Sequence, residues 1–244
     1  FYDFVNSEWN HISSNMSDEQ FEKAFQSYYQ SSKNRKKLLK EITVNVNNEE
    51  EIREFLTNLG VYIYLYKKLD NPLSWAGDEI WQNNVRYIKS YENKHLFKVV
   101  VIAILNNFPK RGRKGAFNFI ESLIFRYAII CQKDEDKLLN KLFLIAKQIN
   151  EKTITLLEDL HKELHEFIID DEEFKYSFAY RSIEHSHQKP SSMVRYILYK
   201  IENYLVRENR YTLGVSNASI EHIDSQSSSS FNVVYRLGNY TLLI

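Results

Sequence analysis

The chain reads as a mainly α-helical protein that ends in a small module with two short strand-like runs. Three observations carry that reading. Glycine and proline number only six and three in 244 residues, against average usage of about 7% and 5%, so long stretches are free to run as helix. Apolar residues recur at spacings of three and four, as in Phe117, Ile120, Leu123, Ile124, Tyr127 and Ile130, which is the stripe of an amphipathic helix. Near the end the period changes to two, in Ile220-Glu221-His222-Ile223, the alternation of a strand. The length suits one large or two modest domains. The expected division is a helical domain over 1–210 and a small module over 211–244.

Taken in order, the first stretch, 1–15, holds Trp9 and His11 without a clear period. Ser17 and Gln20 form a capping box that starts a helix. Phe21, Ala24, Phe25, Tyr28 and Tyr29 continue it, and Lys33, Arg35, Lys36 and Lys37 close it where cations suit the dipole. A second helix over 49–69 carries Ile52, Phe55, Leu56, Leu59, Ile63 and Tyr66, and Asp70-Asn71-Pro72 stops it. Helices over 74–91 and 94–108 follow. Pro109 opens a basic loop, Pro109-Lys110-Arg111-Gly112-Arg113-Lys114-Gly115. The next helix runs from Phe117 to Ile130, with Arg126 inside its apolar stretch. A buried arginine needs a partner, so an ion pair within the helical domain is expected. Stretches 134–150 and 153–169 read as an antiparallel pair of helices. Acids at 170–173 cap another over 174–187. Pro190 opens the last helix, 191–207, with Val194, Ile197, Leu198, Ile201 and Leu205 on one face.

Composition excludes several classes. Lysine plus arginine balance aspartate plus glutamate, 32 each. That argues against tight, non-specific nucleic-acid binding by the segment as a whole but leaves room for a local basic face. Four cations within five residues, Lys110, Arg111, Arg113 and Lys114, are of the kind that contact DNA phosphates. The single Cys131 forbids an internal disulfide and fits a reducing, cytoplasmic setting; its apolar neighbours predict a buried, inert thiol. The longest apolar run, Val99 to Leu105, is too short to span a bilayer, so no membrane partner is expected. No signal peptide opens the chain. The first residue is Phe1 rather than methionine, so a fragment of a longer protein is expected. His161 and His165 lie four apart, a spacing that can bind zinc. Glu163 is misplaced for a metalloprotease motif and no third ligand is evident, so a solvated helix face is expected. His185 and His187 read as a polar helix end, and no phosphate-cradling glycine loop is present.

The chemistry concentrates at the end. Glu221-His222-Ile223-Asp224-Ser225-Gln226 leads into a run of serines at 227–230 and then Gly238-Asn239-Tyr240-Thr241-Leu242-Leu243. Cutting a phosphodiester needs a deprotonated water, a cation on the phosphate and help for the leaving oxygen. Histidine can take the proton near neutral pH, and a hard divalent cation on oxygen ligands covers the rest. Neighbours on a strand face opposite ways, so Glu221 and His222 can serve metal and water separately.

The order acid, histidine, loop, Gly-Asn resembles the C-terminal domain of the GmrSD family of restriction endonucleases, a branch of the HNH nucleases. That family carries Glu-His-Ile-x-Pro-Gln and then Gly-Asn-Leu-Thr-Leu-Leu; Ser225 stands where it usually has proline. The stretch 119–128 also resembles the family's central helix, and 196–202 the helix before its nuclease motif. The resemblance implies an incomplete ββα-metal (HNH-like) module, because the helix that closes the metal site in the family would follow Ile244. It implies a metal-dependent DNA endonuclease of bacterial restriction and phage defence. His222 would be the general base and Glu221 a metal ligand, with Mg²⁺ or Mn²⁺ as the cation. Asn239 would orient the loop supporting His222 or touch the metal. Weak or absent cleavage is expected of this stretch alone. The partner implied is DNA. A nucleotide-binding N-terminal domain would lie outside this sequence or on a partner chain, and a homo-oligomer is allowed. The rival reading is a non-catalytic helical interaction or DNA-sensing module with a degenerate motif.

Overall fold

The computed structural model describes residues 48–70, 94–184, 191–205, 219–224 and 231–243. The helices expected over 17–37 and 74–91, the pair His185 and His187, the serine run and the boundary at 210 lie outside those residues. Within them the fold is mainly helical, with one two-stranded antiparallel sheet near the C-terminal end.

Helix α1 spans Glu49–Asp70. Its start is a capping box: the Glu51 N–H donates to Asn48 Oδ1 at 2.9 Å, and the Asn48 N–H to Glu51 Oε2 at 3.3 Å. Helix α2, Lys94–Asn107, is the centre of the molecule. Val100, Val101, Ile102, Ala103 and Ile104 are each no more than 1% exposed. A helix apolar all round must be covered all round, and α1, α3 (Arg113–Ile124) and α4 (Glu135–Asn150) pack on it.

Three expectations about element limits are corrected. The basic stretch is only half loop, because Arg113 opens α3. Gly112 makes the turn before it, where a Cβ would come within 2.8 Å of the Phe108 ring. The helix expected to run on to Ile130 changes form: Phe125–Ile130 is a π-helix, with the Cys131 N–H reaching back to Arg126 O at 3.0 Å. Apolar spacing continues through the widened turns, so the pattern alone does not reveal them. The helix expected over 153–169 is reduced to α5, Leu157–Glu163, and a 3₁₀ turn, His165–Phe167. Lys152, at φ 60°, reverses the chain first. The return is antiparallel to α4: Lys137 pairs with Glu166 at 2.7 Å and Lys141 with Glu163 at 2.8 Å, while Lys133 pairs with Glu173.

Helix α6, Asp171–Tyr180, is capped by Asp170, whose carboxylate accepts the Glu173 N–H at 2.8 Å. It stops short of 187 because the next residues extend and pair with the chain's end. The Ile183 N–H donates to Tyr235 O at 2.8 Å, the Leu237 N–H donates to Arg181 O at 3.3 Å, and Ser182 bridges Arg236. Helix α7 spans Ser192–Leu205. Val194 and Ile197 are buried, but Ile201 and Leu205 are 44% and 63% exposed, so its apolar stripe outruns the core.

Arg126 has its ion pair. The guanidinium donates to Asp171 Oδ1 at 2.6 Å and Ile169 O at 2.9 Å and lies 4.5 Å from the Phe174 ring centre. Glu121, buried on α3, accepts from the Tyr196 hydroxyl at 2.8 Å and Lys200 Nζ at 2.9 Å, which ties α3 to α7. Cys131 is half-buried rather than buried and forms no disulfide. No described helix is long and apolar enough to cross a membrane.

Candidate functional site

The alternation at 220–223 and the run after Gly238 form the expected antiparallel pair. Strand β1 is Ser219–His222 and β2 is Tyr240–Leu243, with Ile220 opposite Leu242, Glu221 opposite Thr241 and His222 opposite Tyr240. Between them stand a one-turn helix, α8 (Phe231–Val234), and a 3₁₀ turn, Leu237–Asn239. The period of two puts Ile220, His222, Tyr240 and Leu242 on one face. Ile220 and Tyr240 are buried, so that face is the inner one. Glu221 and Thr241 take the other.

His222 is half-buried between aromatic rings. Its centroid lies 4.8 Å from that of Tyr240 and 5.9 Å from that of Tyr235. One backbone residue fixes both tyrosines. Ile183 gives its N–H to Tyr235 O at 2.8 Å and accepts the Tyr240 hydroxyl on its carbonyl at 2.6 Å.

Asn239 sits beside Tyr240 and is 7% exposed. Its Oδ1 accepts the Asp224 N–H at 2.7 Å. Its Nδ2 donates to Asp224 O at 3.2 Å and Val234 O at 2.9 Å. Its own carbonyl accepts the Ile223 N–H at 2.8 Å. Asn239 thus grips the backbone that follows His222, and the two residues belong to the same end of the hairpin. Gly238 is exposed, and a Cβ there would meet no atom within 4 Å. The glycine of the Gly-Asn pair is therefore not required by packing within the chain.

Glu221 is half-buried on the face opposite His222. A carboxylate oxygen is the right donor for a hard cation, but one donor is not a site. Among the described residues no three His, Cys, Asp or Glu side chains gather to hold a metal ion. The described residues do not by themselves make up a divalent-cation site. His161 and His165 are exposed, and His161 stacks on Phe119 with ring centres 3.9 Å apart.

The four cations of the basic stretch divide. Lys110, Arg111 and Lys114 are exposed. Arg113 folds back on the end of α2, its Nε donating to Phe108 O at 2.7 Å and its Nη2 to Asn106 O at 3.4 Å. These carbonyls close the helix C-terminus, where a cation is favoured. Burial there holds the Arg113 pKa below its ordinary value.

A cleft of about 290 Å³ opens beside the hairpin, with Phe178, Ile197, Ile201, Glu202, Gly238 and Thr241 among its lining. Neither Glu221 nor His222 lines it. Sequence reasoning passed over Tyr235, Tyr240 and Ile183, which surround or fix His222. The β propensity of Val233-Val234-Tyr235 misleads, because Val233 and Val234 close the one-turn helix α8 and the pairing begins only at Tyr235. The chain matches no family model and no curated protein.

Proposed function

We propose that the C-terminal hairpin carries the water-activating part of a metal-dependent DNA endonuclease, with His222 as general base. The observation behind this reading is the joint placement of His222 and Asn239 at one end of the hairpin, with the Asn239 amide gripping the backbone of Asp224. A histidine used as a base must be held still while one ring nitrogen meets water. The Tyr235 and Tyr240 rings restrain the imidazole, and Asn239 restrains the turn behind it. Asn239 is then a positioning residue whose amide is spent on backbone.

Phosphodiester cleavage of this kind draws its phosphate activation from Mg²⁺ or Mn²⁺. Glu221 is the donor this reading assigns to the cation, and the steps assigned to this chain are confined to His222 and Asn239. Lys110, Arg111 and Lys114 are the exposed cations assigned to DNA phosphate. A bacterial restriction factor of phage defence is the setting in which such an enzyme fits.

The test is nicking of supercoiled plasmid with Mg²⁺ or Mn²⁺ by the protein that carries this region. His222→Ala is expected to cut about two to four orders of magnitude more slowly while melting at the parent's temperature. A folded His222→Ala protein that cuts at the parent's rate removes the role given to His222 and leaves a non-catalytic helical module. DNA binding over a salt series reads the basic turn: Lys110→Ala with Arg111→Ala should flatten the dependence by roughly two phosphate contacts. An unchanged slope takes the turn out of the DNA interface.

A further inference from the structure

Helix α6 buries none of its residues fully. Its inner face, Phe174 and Phe178, packs against the core. Its outer face carries Tyr176 and Tyr180, 69% and 59% exposed. One helical turn apart, they lie ring on ring, with centroids 4.9 Å apart and planes at 46°. The Arg236 guanidinium carbon stands 5.3 Å from the centre of the Tyr180 ring. Ring surface left in water gains nothing from the hydrophobic effect, so this pair adds little to folding. What it offers is an aromatic surface with a cation at its edge.

The charges around the pair favour an anionic partner. The acids of the first turn are each engaged by a cation: Asp171 by Arg126, Glu172 by Lys175 and Glu173 by Lys133. Lys175 is balanced by Glu172; from there to residue 184 the charged side chains are Arg181 and Glu184, and the bridge between Ser182 and Arg236 brings Arg236 alongside, which leaves this edge net positive. The same short segment supplies Ile183, which fixes Tyr235 and Tyr240 beside His222. The aromatic pair and the candidate site are therefore joined by one stretch of backbone.

We infer that Tyr176, Tyr180 and Arg236 form a stacking platform for the unpaired bases of a nucleic-acid strand beside the His222 site. The inference rests on reading that site as one that acts on nucleic acid. Bases of any sequence stack on tyrosine, and arginine serves both the ring and the backbone. A closed duplex hides its base faces, so the platform takes single strands or opened segments.

The measurement is fluorescence anisotropy of a labelled oligothymidine of about twelve nucleotides. It binds the 244-residue chain in the presence of EDTA, so that binding is read without cleavage. Tyr176→Ala with Tyr180→Ala should weaken binding roughly tenfold or more. Tyr176→Phe with Tyr180→Phe should hold it within about twofold, because the ring faces remain. An abasic strand of equal length should bind the parent chain as weakly as the base-bearing strand binds the alanine variant, and duplex binding should not respond to either pair. Three results each overturn the platform: no binding by the parent chain, equal binding by a normally melting alanine variant, or equal binding of the abasic strand. His222→Ala separates the two readings. If it still cuts at full rate while binding depends on the tyrosines, the role given to His222 falls and the platform stands.

Discussion

At the residue scale the decisive side chain is Asn239. It is almost fully enclosed, and all its amide bonds go to backbone, at Asp224 and Val234. Asn239→Ala strands a part-buried N–H and two carbonyls, one of them buried, and leaving such groups unpaired costs roughly 1–3 kcal/mol. Urea unfolding followed by circular dichroism should show a loss of that order. Asn239→Asp should do no better, because it keeps an acceptor for the Asp224 N–H but sets a carboxylate against two carbonyls. An alanine variant as stable as the parent would mean that the amide does not hold the turn after His222. The motif residues were legible in the sequence because their order along the chain is local. The partners Ile183 and Tyr235 were not, since nothing in a sequence marks which distant backbone a strand edge meets.

Elements were readable where one period runs between clear caps. Asp134 and Asp170 are N-caps in the structure as their sequence context predicts, each accepting a backbone N–H three residues on. Readability failed where local preference lost to packing: α6 stops at Tyr180 because its continuation pairs with Tyr235–Leu237. The return from α4 is held by a row of ion pairs, and their titration is predictable. The hydrogen bond from Lys137 keeps the Glu166 carboxyl below the ordinary range, and that from Arg126 does the same for Asp171. Carboxyls lowered on folding stabilise the protein above their unfolded values, and this contribution fades as pH falls through the lower folded values. Lys133 and Lys137 are raised by Glu173 and Glu166, so their share is present below the ordinary lysine value and fades above it. Melting temperature should hold from about pH 6 to 9 and drop below about pH 4, the usual carboxyl range. Lys137→Met should lessen the acid-side drop, and 1 M salt should do likewise by screening these exposed pairs. A variant profile that superimposes on the parent's would remove the Lys137–Glu166 pair from the acid response.

Among the described residues, one core runs from α2 to the hairpin. Ile220, Leu237 and Tyr240 belong to the same buried cluster as Val100 to Ile104. Two strands of four residues would be marginal in water alone. Here Arg181–Ile183, at the end of α6, lies against Tyr235–Leu237, outside the two-stranded sheet, and ties down the segment that leads into β2. The hairpin and the end of α6 are therefore expected to open together. Exchange of the Ile183, Ile223 and Leu237 amides with deuterated water should slow to a common rate, as one cooperative unit. Exchange at Ile223 well ahead of Ile183 would show the hairpin breathing separately. Joined in this way, the aromatic cage of His222 should last as long as α6 stays docked, so a ligand that grips the outer face of α6 would also lengthen the time for which Tyr235 and Tyr240 enclose the imidazole.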